Sequence, residues 1–219
     1  MPFVVWVSGD PGVGKSAMVY NLARVLLKVL FQRDSDGVSA EVSEEDIARY
    51  VYSHNTSNKF FDGYNNQPIF VLNDYLQFAL ENEEQWLIRF TDTVDCPLEV
   101  SSVDNIETGV KGEVRFTSPI IIVTSNMSSL VQSANLTNCK AFNRRRDFVL
   151  DMTFRPGCSV TENWDYNWCV MRQLTNDGDV RKTFDRNGYM DAVKEIIFTY
   201  RRFRNFSEHF ELTHAELVS

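Results

Sequence analysis

The sequence predicts an α/β fold with a mostly parallel central sheet flanked by helices. Three observations carry that expectation. Short, nearly continuous apolar runs stand at residues 3–7, 69–72 and 119–124. Segments with helical spacing of apolar residues follow the first and second of these runs and return near the end of the chain. The first run enters its helix through a glycine-rich turn. Strands alternating with helices give a largely parallel sheet, buried on both faces, so its strands read as unbroken apolar runs.

The elements follow in order. Residues 3–7 form a buried strand and residues 9–14 a tight turn. A helix over 15–31 carries Met18, Leu22, Val25, Leu26 and Val29 on one face. Residues 33–45 are polar, acidic and glycine-containing, hence a surface loop. Glu44, Glu45 and Asp46 read as a solvated helix start. Residues 50–52 are β-prone and read as an inner strand. The run 69–72 is the second buried strand and ends at Asn73-Asp74. A helix over 76–90 follows, with Leu80, Leu87 and Phe90 inward. Residues 110–116 read as half-exposed, turning at Lys111-Gly112. The third strand, 119–124, contains Ile120, Ile121 and Ile122 and stops at Ser125-Asn126. A further strand is expected over 149–152. No element is read in 156–188, which carries Trp164, Tyr166 and Trp168. Both tryptophans read as core residues rather than platforms for stacked bases. Met190, Val193, Ile196, Ile197, Tyr200 and Phe203 repeat at helical spacing and predict a late helix. The chain divides into a core over 1–155 and an extension over 156–219.

Composition sets outer bounds. The chain has 219 residues, 43% hydrophobic and 24% charged. That is enough for a real core and excludes a disordered, collagen-like or disulfide-scaffold chain. With 22 basic against 30 acidic residues the formal net charge is −8, which excludes a uniformly basic nucleic-acid coat. The positives cluster locally, at Arg144, Arg145 and Arg146 and at Arg201, Arg202 and Arg204. Cys96, Cys139, Cys158 and Cys169 form no C-x-x-C pair and read as reduced thiols. Cys158 and Cys169 have no histidine nearby, so a zinc site would lack ligands. No apolar run reaches bilayer length, and no signal peptide is recognisable. Met1-Pro2 abuts a core strand, which reads as a domain cut from a longer chain.

The chemistry begins at Gly9-Asp10-Pro11-Gly12-Val13-Gly14-Lys15-Ser16, a full G-x-x-x-x-G-K-S. Gly9, Gly12, Val13 and Gly14 supply a loop whose backbone N–H groups converge on one phosphate. The following helix adds its positive dipole end. Lys15 reaches the β- and γ-phosphates, and the Ser16 hydroxyl suits Mg²⁺. Strand before and helix after supply the context the motif needs, so ATP with Mg²⁺ is expected.

Hydrolysis needs more. Asp74, after the second strand, is placed to hold a metal-bound water or polarise the attacking one. Asn73 beside it is a neutral amide, a poor Mg²⁺ partner and no base. Asn126, at the tip of the third strand, is either a γ-phosphate sensor or a strand-ending turn residue. Arg144 and Arg145 are either fingers entering a neighbouring subunit's site or a solvated, RNA-binding basic cluster.

The ordered set resembles the superfamily 3 helicase, or 2C-type ATPase, of picornaviruses and related picorna-like positive-strand RNA viruses. Beyond the loop, Phe61-Asp62-Gly63-Tyr64 with Gln67 is similar to the segment before the family's Walker B strand. Lys111-Gly112 and Phe116-Thr117-Ser118 resemble the lead into motif C, and residues 120–126 motif C itself. Ala141, Arg144, Arg145 and Asp151 resemble the arginine-finger segment, and Arg201-Arg202 the C-terminal region. The resemblance runs from residue 3 to about 205. It implies an AAA+-like P-loop NTPase that assembles with itself as a ring, a hexamer in expectation, with ATP bound between subunits. By the resemblance, Lys15 and Ser16 bind phosphate and Mg²⁺, Asn73 and Asp74 form the Walker B pair, and Asn126 is the sensor. Arg144 and Arg145 are then trans-acting fingers, and Lys111 is a weaker candidate for RNA phosphates. It also implies RNA and viral or host replication proteins as partners. A membrane contact would run through an N-terminal segment that this sequence lacks. The implied setting is the host cytoplasm at membrane-associated replication sites.

Departures from the family pattern matter. Asn73 stands where the family usually has an acid, so either Asp74 suffices alone or the site holds ATP with impaired hydrolysis. The family's cysteine-rich zinc segment is not recognisable. Phe206, Phe210 and Leu212 trail the late helix, where the family docks on the next subunit; packing on the chain's own domain is the other reading. Two rival functions remain open: an ATP-binding scaffold acting through protein partners, and a small-molecule or nucleoside kinase.

Overall fold

The computed structural model describes residues 1–31, 42–77, 83–92, 96–100, 114–133, 136–160, 165–184 and 188–218, with side chains as far as 207. The first strand, β1 (Phe3–Gly9), shows why the fold has two apolar layers. Alternate residues of a strand point to opposite faces. Phe3, Val5 and Val7 join one buried cluster, while Val4 and Trp6 join another. Both faces of β1 are therefore covered, as its unbroken apolar composition demands.

Around it stand β2 (Val51–Asn55), β3 (Ile69–Asn73), β4 (Ile120–Ser125), β5 (Phe148–Phe154), β6 (Cys169–Leu174) and β7 (Val180–Phe184). They form one seven-stranded sheet in the order β2-β3-β4-β1-β5-β6-β7. The pairings from β2 to β5 are parallel. β5–β6 and β6–β7 are antiparallel, so the sheet is mixed on that side. The α/β expectation holds. The strand expected over 50–52 exists as β2, but it is an edge strand rather than an inner one. Only His54 on it is buried, since it lacks a second neighbour to cover it.

The helix α1 (Lys15–Phe31) begins and ends where its apolar spacing predicts. It presents Met18, Leu22, Ala23 and Leu26 to the first layer. α5 (Gly188–Val218) joins the same layer through Ala192, Val193, Ile196 and Tyr200. Phe3 sits between the rings of Tyr200 and Phe203, at 5.3 and 5.4 Å. α3 (Glu83–Phe90) and α4 (Cys139–Asn143) cover the opposite layer with Leu87, Phe90 and Phe142. There Trp6 makes edge contacts with Tyr75 and Phe142, both at 5.8 Å. Each such fully buried apolar side chain contributes about 1.5–3 kcal/mol.

α2 (Glu44–Tyr50) starts with a capping box: Ser43 Oγ accepts from Asp46 N, and Ser43 N donates to Asp46 Oδ2. The acidic helix start at residues 44–46 is thus present, so Glu44 and Glu45 are helix rather than loop; residues 33–41 of the expected loop lie outside the described residues.

Of the helix expected over 76–90, the described residues show α3 from Glu83 to Phe90, and Leu76 is not helical. Leu76 has φ 63°, a left-handed conformation that no α-helix accommodates, and residues 74–77 form a turn. Leu80 lies outside the described residues, as do Val110–Glu113 of the half-exposed segment expected there. Residues 156–188, unread in the sequence, supply the β6–β7 hairpin. Its antiparallel strands extend the same sheet beyond β5. Among the described residues no helix is long and apolar enough to cross a membrane.

Candidate active site

Three parallel strands bring the glycine loop, Asn73-Asp74 and Asn126 to one edge of the sheet, beside the end of β5; Arg144 and Arg145 precede β5 and stand at its other end. β1 ends at Gly9, β3 at Asn73, β4 at Ser125 and β5 at Phe154. In open parallel sheets, ligands bind beyond the carboxyl ends of the strands. β4 lies between β1 and β3, so Asn126 emerges between the glycine loop and Asp74.

The loop itself is held from two sides. Asp10 N donates to Met152 O (3.0 Å), and Phe154 N donates to Asp10 Oδ2 (3.0 Å). Trp168 Nε1 donates to Val13 O (2.9 Å) from the turn before β6. Gly9, Gly12 and Gly14 all have positive φ, at 143°, 78° and 99°. Such angles let the chain curl so tightly and strongly favour glycine. Gly12 is exposed, and a Cβ on it would meet nothing within 4 Å. The first N–H groups of α1 have no intrahelical acceptor and face that end.

Lys15 is buried, yet its ammonium reaches into this space. Nζ donates to Gly9 O (2.9 Å), Asp10 O (3.0 Å) and Asn126 Oδ1 (2.8 Å). Burial pushes the Lys15 pKa below the ordinary lysine value, while the carboxylates of Asp74, Asp10 and Asp151 pull it back up. All three acceptors are neutral. An anionic phosphate offers a stronger, charge-assisted partner for the same ammonium. The predicted lysine and the predicted sensor therefore meet directly.

Asp74 is exposed at the tip of β3, with φ 53°. Asp74 N donates to Thr124 Oγ1 (2.9 Å), and Tyr75 N donates to Thr124 O (2.8 Å). Thr56 Oγ1 bonds the carbonyls of Asn73 and Asp74, each at 3.2 Å. Leu76 N donates to Glu83 Oε1 (2.8 Å). Two left-handed non-glycine residues in one turn are strained, and this net of bonds holds them. Asn73 Nδ2 donates to Ser53 Oγ (2.6 Å) on β2. Its amide donor is thus engaged across the β2–β3 pair.

Exposed oxygens of Ser16 and Asp74 are hard donors that suit Mg²⁺. Asp151 stands behind the loop and accepts from Ser8 Oγ (2.9 Å). Among the described residues, no group of three His, Cys, Asp or Glu side chains is clustered to hold a metal alone. A Mg²⁺ here would need oxygens from the nucleotide, as is usual for this ion.

The arginine triplet splits into three environments. Arg144 is exposed. Arg145 is half-buried and donates to Ala141 O (2.5 Å). Arg146 is 2% exposed and bonded within its own subunit. Lys111 lies outside the described residues, and so does Trp164. Trp168 is core, as expected, but its N–H on the phosphate loop was not legible in the sequence.

Comparison with known proteins agrees with this geometry. The model of the RNA helicase family matches residues 5–127, more than half of the chain. The chain belongs to the RNA helicase family. The match spans the glycine loop, Asp74 and Asn126. It bears out the resemblance to the superfamily 3 helicases of picorna-like viruses. This helicase domain is 29% identical over 207 residues to the replicase polyprotein of Acute bee paralysis virus (strain Rothamsted), covering 90% of the chain and 10% of that polyprotein. It is 28% identical over 149 residues to the genome polyprotein of Human parechovirus 5, covering 68% and 6%. It is 30% identical over 161 residues to the RNA1 polyprotein of Cycas necrotic stunt virus, covering 71% and 6%. The helicase domain thus spans a tenth or less of the polyproteins it matches.

Proposed function

We propose that this domain is an ATP-hydrolysing RNA helicase or remodelling motor of positive-strand RNA replication. One observation carries the reading: the buried Lys15 ammonium is bonded to Asn126 Oδ1 at the mouth of the glycine loop. Phosphate arriving in the loop takes over Lys15, and Asn126 is released to contact the γ-phosphate or its attacking water. Gly9, Gly12, Val13 and Gly14 give the cradle. Ser16 and Asp74 hold Mg²⁺, which supplies charge neutralisation on the phosphates. Asp74 also orients and polarises the water. Arg144 and Arg145 reach the nucleotide of a neighbouring subunit in a ring, a hexamer by analogy with the family. Residues 1–155 form the motor core, and 156–219 an extension that lies on it and supports assembly. RNA is the substrate, with Lys111 as one phosphate contact. Other replication proteins, viral and host, and membranes in the host cytoplasm are the surroundings in which it acts.

The engaged amide of Asn73 favours a second reading, an ATP-binding scaffold with slow turnover. ATPase assays at high protein concentration separate the two. The motor reading expects measurable hydrolysis that Lys15→Ala abolishes, with Asn73→Asp raising kcat or leaving it unchanged. Tight ATP binding without turnover in both the parent and Asn73→Asp would replace the motor with the scaffold.

A further inference from the structure

The chain after Asn126 does not run free to α4; it is bonded to it. Asn143, the last residue of α4, grips Leu130 from both sides. Leu130 N donates to Asn143 Oδ1 (3.0 Å), and Asn143 Nδ2 donates to Leu130 O (2.9 Å). Arg146 closes the next point: Nη1 donates to Ser128 O (2.5 Å) and Nε to Asn143 O (3.1 Å). Its Nη2 donates to Asn176 O (2.9 Å) in the turn between β6 and β7. The guanidinium lies 5.1 Å from the Trp6 ring centroid, and Trp6 Nε1 itself donates to Met127 O (2.8 Å). Residues 127, 128 and 130 are thus each fixed by a side chain of β1, α4 or the turn after α4.

Asn143 is 8% exposed and Arg146 2%. A buried guanidinium with only carbonyl partners and an aromatic face is an expensive way to fill space. Burial alone pushes its pKa down to about 10. What the charge achieves is geometric: one planar fork spans three backbone segments. Those segments lead on one side to Asn126 and on the other to Arg144 and Arg145, which directly follow Asn143.

We propose that Asn143 and Arg146 are positioning residues that couple Asn126 to Arg144 and Arg145. The finger arginines that a subunit offers its neighbour are thereby set by the nucleotide state of its own site. The inference rests on the motor reading above, in which Asn126 senses phosphate and the arginines act in trans. The two states are physical. In one, Asn126 holds Lys15; in the other, phosphate holds Lys15 and Asn126 has moved. A rigid, doubly bonded strip carries that displacement to α4, where a loose loop would absorb it.

A mutant cycle on the full chain tests it. Asn143→Ala removes both bonds to Leu130. Arg146→Lys keeps the charge and loses the fork. Each is made in the parent and in Arg144→Ala/Arg145→Ala. Single-turnover rates at high protein concentration, ATP KM and binding of a fluorescent ATP analogue are read. In the parent, each variant should lower the rate by about five- to tenfold, with KM and analogue affinity within about twofold. In the finger-less background the same substitutions should be silent. Equal losses in both backgrounds would assign the strip to folding alone and overturn the coupling. So would loss of the cooperative melt in both variants. If removing the fingers leaves the parent rate unchanged, the shared-site reading falls first, and the coupling with it.

Discussion

At Gly9 the backbone φ of 143° is the lesser constraint. A Cβ built there would lie 2.0 Å from Met152 O, on the neighbouring strand β5. No side chain fits without parting β1 from β5, where Asp10 and Phe154 anchor the loop. Gly9→Ala should therefore lose ATP binding and cost about 1–3 kcal/mol of stability, as overpacking of rigid backbone does. Gly12→Ala faces open space and carries only the left-handed strain of about 1 kcal/mol. Urea unfolding of both variants checks the contrast, and equal losses would refute the steric account. The tight turn of the glycine loop was legible from sequence because its positive-φ positions favour glycine. Trp168 was not, since its role is a single N–H on Val13 O across 155 positions of sequence. Arg146 was hidden for a different reason. Three adjacent arginines look alike until burial separates them, and burial is a property of the fold.

The turn between β3 and α3 shows the same division at the level of elements. The apolar runs of β1, β3 and β4 and the spacing of α1 were readable because each is buried on faces its own composition declares. The turn at 74–77 was not, because Glu83 holds it from seven positions away, and helical spacing does not reveal such a contact. Glu83 is 1% exposed, accepts from Leu76 N, and its backbone O accepts from the Tyr75 hydroxyl (2.6 Å). Burial raises its pKa above the ordinary carboxylate range, against the opposing pull of the Leu76 N–H and Thr56. An acid whose folded pKa is raised keeps its proton in the folded state after the unfolded chain has lost it. Stability then falls as pH rises from the ordinary carboxylate value through the raised one. Glu83→Gln keeps the acceptor for Leu76 N and removes the titration. Its urea midpoint should gain on the parent as pH rises from 4 to 8, while a constant difference would show that folding leaves the Glu83 pKa unshifted. The hairpin β6–β7 was illegible for a third reason: β7 is an exposed edge with only Phe184 buried, so it carries no apolar run to read.

At the scale of the whole molecule, the two ends of the sheet do different work. The nucleotide residues gather at the carboxyl ends of the parallel strands, while α5 docks near the opposite end of β1 through Phe3. On another face, α5 keeps apolar side chains that the described residues do not cover. Phe198 is 57% exposed and Phe206 74%, with the Arg202 guanidinium 5.8 Å from the Phe198 ring centroid. Residues 198, 202 and 206 recur at four-residue spacing, which puts them on one helix face. The buried contacts of Ile196, Tyr200 and Phe203 lie on another. At this exposure Phe206 is not packed on the described residues of its own domain. Phe210 and Leu212 have side chains outside the described residues. A motor whose arginines act in trans needs such a contact, because fingers on a free subunit meet no nucleotide. Phe206→Ser should thus leave the thermal midpoint of the subunit nearly unchanged, since the ring contributes no buried area within it. It should shift the concentration dependence of ATPase activity to about tenfold higher protein, the loss of a modest interface anchor. Light scattering with ATP present should show the same shift in mass. If activity per subunit is independent of concentration in the parent, the shared site is wrong at its root. If it is dependent and Phe206→Ser leaves it unmoved, assembly runs through another face, and the exposed ring belongs to a different partner.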